Sequence, residues 1–295
     1  VGRVMTPVLA MTVVREAAIA AFVPEKFYTV ALTLADGGTA SSKRFAQKAD
    51  AELLLSKCRK EGRVTVQKME RKEKSESPPQ LYDLTALQRD ANRLLGFTAQ
   101  QTLDYAQSLY EKRLITYPRT DSRFLTEDMA ASLPGLVTDT GRALAVEEPF
   151  PIHVQQVING SKVTDHHALL VTENLPEGLS QDERAIYEMV AARLLEAFSP
   201  HCVKEMTEVA LSAGGEIFTL KGAVVKSAGW RAVRGEPEEE VEETTLPELQ
   251  TDETLPLLAS ETVEKQTKPK PLHTESSLLS AMEHCGSCLL YTSPS

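Results

Sequence analysis

The sequence predicts an α+β protein in which a helical block is inserted into a β block. Three observations carry this. Period-two alternation occurs early, over Phe27–Leu34 and Arg63–Val66, and returns late, over 203–234. The intervening residues 81–200 carry capping boxes and helical spacing instead. A polar stretch with Pro78-Pro79 marks the way into that block, and Pro200 closes it.

The chain order justifies each piece. Residues 7–22 read as a helix opened by Pro7, with Leu9, Val13, Ala17 and Ala20 at helical spacing, and Pro24 ends it. Asp36-Gly37-Gly38 supplies a turn after the first strand. Residues 48–58 suit a helix before the strand at Arg63. In the inserted block, Thr85-Ala86-Leu87-Gln88 fits a capping box, and its helix runs to Gly96. Thr98-Ala99-Gln100-Gln101 repeats the device, and Lys112-Arg113 place cations at that helix's C-terminus. Two helices joined at a glycine and followed by Leu114-Ile115-Thr116 are arranged as a helix-turn-helix with a trailing strand. Ser180-Gln181-Asp182-Glu183 opens a further amphipathic helix. Gly214-Gly215 turns the late strands, and an acidic, Pro-containing stretch follows from Glu236.

Composition excludes several classes. The chain has 295 residues, 42% hydrophobic and 25% charged, which is ordinary for a globular protein and suggests about two domains. No apolar run approaches the roughly 20 residues of a membrane span. The start, Val1-Gly2-Arg3-Val4, lacks an initiator Met and reads as a cut inside a longer protein. Four cysteines, two of them isolated, give no disulfide framework and fit a reducing cytoplasm. Cys285-Gly286-Ser287-Cys288 has metal or redox spacing but no second pair to complete a zinc site. The net charge of −10 is segregated: eleven acidic residues and no Lys or Arg lie between Glu236 and Glu264, and without them the chain carries +1. Residues 40–75 hold eleven Lys/Arg against five Asp/Glu, enough to neutralise phosphates or simply to solvate a strand face; charge alone favours the solvated face.

Chemistry concentrates in Leu114-Ile115-Thr116-Tyr117-Pro118-Arg119-Thr120-Asp121-Ser122-Arg123. Pro118 pushes Tyr117 out of helical backbone into an extended conformation. The phenol can then project from a strand end. A phenol with its usual pKa of about 10 is a weak nucleophile that a nearby cation assists. Arg119, two residues on, falls on the same side of an extended chain, and its guanidinium can hold two phosphate oxygens. By these arguments alone, a half-buried tyrosine beside a surface arginine is the commoner meaning.

Tyr117-Pro118-Arg119-Thr120-Asp121-Ser122 resembles the active-site signature of type IA DNA topoisomerases, of the topoisomerase III kind. The stretches Leu87–Phe97 and Ala106–Glu111 resemble the helices that precede it in that family. Thr164-Asp165-His166-His167-Ala168, Gly2-Arg3-Val4-Met5-Thr6-Pro7 and Lys268–Leu278 resemble three further motifs, so the likeness runs from about residue 1 to about 286. There are departures: Met5 stands where the family has Gln, Val171 where it tends to have Pro, and Leu272-His273 where it has Arg-Tyr.

The resemblance implies a toroid fragment whose helical catalytic domain is inserted into a β arch. Residues 1–22 and 240–286 would form a gate-base domain, 23–80 and 204–239 the arch, and 81–203 the helical domain; 287–295 read as a non-native tail. It further implies that Tyr117, Arg119 and His166 are catalytic and that Arg3, Thr120, Ser122 and Lys268 contact DNA. His167 is left structural. The implied activity is ATP-independent relaxation of DNA through a 5′-phosphotyrosine ester; no Gly-x-x-x-x-Gly-Lys-Ser/Thr loop is present. The implied cofactor is Mg²⁺, held by an acidic domain upstream of Val1, with no ligands in this chain. The implied partner is single-stranded DNA, met by a monomer in the cytoplasm at the nucleoid. A tyrosine relaxase would need His-x-His ligands, which the adjacent pair does not supply. A non-catalytic single-strand-binding module is the other alternative, and on it Tyr117→Phe changes nothing.

Overall fold

The computed structural model describes residues 5–35, 38–146, 151–235, 246 and 249–289, without the side chains of 285–289. Two separate hydrophobic cores organise it, one in a β-barrel and one in a helical block.

Helix α1 (Met5–Ala20) leads into β1 (Lys26–Leu34) and β2 (Thr39–Ser42). Helix α2 (Lys48–Glu61) follows, capped by Gly62 in the left-handed region, and then β3 (Arg63–Glu76). After the helical block come β4 (Cys202–Ala213) and β5 (Glu216–Ser227), joined through Gly214-Gly215, both at positive φ as the hairpin requires. The sixth strand, β6 (Thr254–Gln266), pairs antiparallel with β1 along nearly its whole length and with the start of β3. The strands close in the order β1-β2-β5-β4-β3-β6.

Alternation explains the barrel core. Val30, Leu32 and Leu34 of β1 turn inward with Val64, Val66, Val209, Leu211, Phe218 and Leu220. Ala51, Leu54 and Cys58 of α2 pack into the same core. Beyond the barrel, β3 pairs with β4 as far as Glu76↔Cys202, and β5 follows to Ser227. This three-stranded ribbon carries the chain into the helical block.

Two sequence readings change here. Residues 240–286 were grouped as one unit, but Thr254–Gln266 is a barrel strand. β3 continues ten residues past Val66 through its pairing with β4; most of this outer part is exposed, so no apolar alternation marks it. The turn residues Asp36-Gly37 and most of the acidic stretch from Glu236 lie outside the described residues.

The helical block holds α3 (Leu84–Leu95), α4 (Ala99–Glu111), α5 (Leu133–Ala143) and α6 (Gln181–Phe198). Both halves of the capping boxes at Thr98/Gln101 and Ser180/Glu183 are formed. The cap of α3 is Asp83, whose carboxylate accepts from the Ala86 amide at 2.6 Å, rather than Thr85. Helix α7 (Glu275–Leu289) lies against α3. The apolar positions of α1 are not buried: Leu9 and Val13 are exposed, and α1 touches little besides α7.

Candidate active site

Two irregular segments build the site. Leu114–Leu125 and Thr164–Thr172 run antiparallel, tied by Thr116 N–H to Leu170 O at 2.9 Å, Thr172 N–H to Leu114 O at 3.0 Å and Ala168 N–H to Phe124 O at 3.0 Å. Ile115 pairs with Val171, and both are buried. Leu169 is bonded in turn to Tyr82, which anchors the pair on the helical core. A short, apolar, hydrogen-bonded base thus ends at Thr116, and Tyr117 emerges from it.

The tyrosine ring lies against His166, tilted, with centroids 4.6 Å apart, and Tyr110 meets it edge-on at 5.4 Å. These two ring contacts limit where the phenol can point. His166, Arg119, Thr120, Asp121, Thr164, Asp165, Asp83, Leu84, Thr85 and Glu283 line a cleft of about 580 Å³. Tyr117 borders this cleft through His166 and is not among its lining residues. Arg119 is exposed and makes no ion pair among the described residues, so its guanidinium is available to an anion.

Thr120 and Ser122, expected to contact DNA, have their hydroxyls turned to backbone partners. Both are buried. The Thr120 hydroxyl donates to the carbonyl of His166 at 3.0 Å and accepts from the Ser122 amide at 3.1 Å. The Ser122 hydroxyl is 3.0 Å from the Lys162 carbonyl. Their hydroxyls are spent on backbone, and through Thr120 they fix the strand that carries His166. Lys268 is exposed on the segment after β6 and does not line the cleft. Arg3 lies outside the described residues. His167 places its Nδ1 2.7 Å from the Ala168 carbonyl oxygen.

Sequence reasoning passed over Asp83, Asp121, Arg123 and Glu283. Asp121 accepts from the Thr164 hydroxyl at 3.1 Å, locking the two segments together. Asp83 both caps α3 and receives Arg123 Nε at 2.5 Å. Arg123 also reaches Glu283 of α7. Arg123 sat inside the quoted motif; its partners lie 40 and 160 residues away, which no local pattern reveals.

Among the described residues no group of three His, Cys, Asp or Glu is arranged to hold a metal. Asp83 and Glu283 are committed to arginines and Asp121 to Thr164. The side chains here therefore do not fit a Mg²⁺ site.

A family model described as DNA topoisomerase matches residues 1–287. The DNA topoisomerase 3 of Bacillus subtilis is 38% identical over 96% of this chain and 42% of its own length. That of Bacillus licheniformis is 37% identical over 96% of this chain and 41% of its own. The structure of full-length topoisomerase I from Thermotoga maritima superposes with a TM-score of 0.77 at 26% identity, covering 97% of this chain and 48% of that one. Together with the tyrosine site, these define the class: the chain belongs to the type IA DNA topoisomerase family. It spans about two-fifths of the length of its Bacillus relatives.

Proposed function

We propose that this chain carries the strand-cutting tyrosine of a topoisomerase III-like enzyme acting on single-stranded DNA. The observation that supports it best is Tyr117 in tilted ring contact with His166, beside a cleft that also presents Arg119. In the proposed reaction the Tyr117 oxygen attacks the backbone phosphorus. The bond to the 3′ oxygen breaks, the 5′ phosphate stays on the tyrosine, and a 3′ hydroxyl leaves. Arg119 neutralises charge that builds on the phosphoryl oxygens. His166, held by Thr120, is within reach to bind the phosphate or take up the phenolic proton. Reversal by the 3′ hydroxyl reseals the strand, and the ester conserves the bond energy without ATP.

In this reading residues 81–203 move as the catalytic unit, the barrel and ribbon form the arch, and residues 1–22 with those after β6 form the gate base. Mg²⁺ dependence, a monomeric state and a cytoplasmic, nucleoid-bound setting belong to the same proposal, by likeness to bacterial DNA topoisomerases. The test is a denaturing gel with an end-labelled oligonucleotide and the full-length protein that contains this chain. The wild type should trap a covalent adduct, and Tyr117→Phe should trap none while retaining strand binding. An adduct formed equally by Tyr117→Phe would remove Tyr117 from the chemistry. No adduct from either protein would favour the non-catalytic binding module.

A further inference from the structure

Helix α7 lies against α3, with Leu278, Leu279, Ala281 and Met282 partly buried, and polar contacts pin it there. The Ala99 amide donates to Glu275 at 2.6 Å, and the Ser276 amide to Asn92 Oδ1 at 3.0 Å. No residue from 275 to 284 belongs to the buried core. The end of the seam nearest the cleft is closed by Glu283. Its Oε2 accepts from Arg89 of α3 at 2.6 Å, and its Oε1 from Arg123 of the tyrosine segment at 2.9 Å. Two guanidiniums from separate segments thus converge on one oxyanion, which is how arginines hold a phosphate. All three side chains remain about a third exposed.

Glu283 also lines the cleft that holds Arg119 and His166. With it in place the cleft is lined by four carboxylates, of Asp83, Asp121, Asp165 and Glu283, and by Arg119, while Asp83 and Glu283 are paired with Arg123 and Arg89. A phosphodiester entering there finds those two guanidiniums already occupied. If Glu283 swings out, one carboxylate leaves and two guanidiniums are bared. Asp83 stays on Arg123 Nε, so Arg123 keeps its orientation while its Nη2 is handed over.

We propose that Arg89 and Arg123 form a phosphate site for the bound strand, which the Glu283 carboxylate occupies until a backbone phosphate displaces it. The exchange couples strand entry to release of the C-terminal half of α7 from α3. It rests on the single-strand reading above, and supplies that reading with a second anchoring point beside Arg119.

The test uses the 295-residue chain and fluorescence anisotropy of a labelled oligothymidylate across a salt series. Glu283→Gln should bind about three- to tenfold tighter at low salt, because a competing charge is gone. Arg89→Ala and Arg123→Ala should each weaken binding and flatten the plot of log K against log salt by about 0.7. Hydrogen exchange supplies a second readout. The α7 amides should exchange faster when oligothymidylate binds the wild type, and should already be fast in unliganded Glu283→Gln. If Glu283→Gln binds no tighter, or if both arginine variants keep the wild-type slope, the phosphate site is wrong and the single-strand reading stands. A wild-type chain that does not bind oligothymidylate at all overturns both.

Discussion

Glu183, the third residue of α6, serves three donors at once. Its carboxylate accepts from Lys112 Nζ at 2.6 Å, from the Ser108 hydroxyl at 2.6 Å and from the amide of its own cap, Ser180, at 2.9 Å. The Lys112 ammonium, then the Ser108 hydroxyl, hold its pKa down at about 2. Because the folded value is depressed, the stabilisation is complete above the ordinary carboxylate pKa near 4.5 and is lost as pH falls from there toward 2. Glu183→Gln keeps the capping box, since Gln serves equally at that position, and removes only the charge. The variant should be about 1 kcal/mol less stable at pH 7, the scale of a part-exposed ion pair, with the gap closing between pH 4.5 and 2. Urea unfolding followed by circular dichroism at several pH values measures this; a gap independent of pH would detach it from the ionised carboxylate. The box itself was legible in Ser180-x-x-Glu183. The lysine was not, because it lies 71 residues away. The same limit applied at the site: the Tyr117-Pro118-Arg119 signature was legible in the sequence, whereas the hydroxyls of Thr120 and Ser122 depend on long-range backbone partners.

At the scale of elements, the junction between ribbon and helical block turns on the single helical turn Gly229–Val233. Trp230 N–H bonds the Pro200 carbonyl at 3.0 Å, its indole reaches the Glu76 carbonyl at 3.2 Å, and Arg231 Nε meets the Glu76 carboxylate at 3.1 Å. This one turn therefore clamps both chain crossings, at the end of β3 and the start of β4. Gly229 sits at φ 53°, and a Cβ there would come within 2.3 Å of the His201 carbonyl oxygen. Gly229→Ala should cost about 3 kcal/mol, from left-handed strain and a backbone clash together. Gly135→Ala, at a helical glycine with open space around it, should be neutral or slightly stabilising. Thermal unfolding of the two variants checks this, and equal melting temperatures would show that the clamp yields without cost. Strands β1, β4 and β5 were legible because one face of each is apolar. β6 was not: its Thr254–Gln266 sequence overlaps the acidic run, and only Leu255 of it is buried. Composition marked only an acidic, Pro-containing stretch there, and pairing with β1 makes its last part a strand.

For the whole molecule, five of the eleven cations in the basic stretch are paired within the chain. Within the basic stretch 40–75, Lys43 pairs with Glu216, Lys48 with Glu52, Lys68 and Lys72 with Glu70, and Lys74 with Glu76. These pairs are solvent-exposed, as on a solvated strand face, and the strand binding proposed above is assigned to Arg119 and the cleft around it. The chain brings an arginine and a histidine to one cleft, with the proposed nucleophile Tyr117 against that histidine, but the described residues hold no metal cluster, and the chain covers 42% of its Bacillus subtilis relative. Proton management is typically worth about 10²–10⁴-fold, and correct positioning of the phosphate can be worth more. We expect the 295-residue chain alone to bind single-stranded DNA weakly, increasingly so as salt rises. It should leave negatively supercoiled plasmid unrelaxed at any Mg²⁺ concentration. Adding the remaining portion of the Bacillus subtilis relative as a separate polypeptide should restore relaxation in a Mg²⁺-dependent manner, if the two parts assemble; Tyr117→Phe in the same mixture should not relax. A gel-based relaxation assay reads all three arms. Robust relaxation by the bare chain would mean that the proton- and phosphate-handling groups all lie within these 295 residues, and the division of labour proposed above would fall.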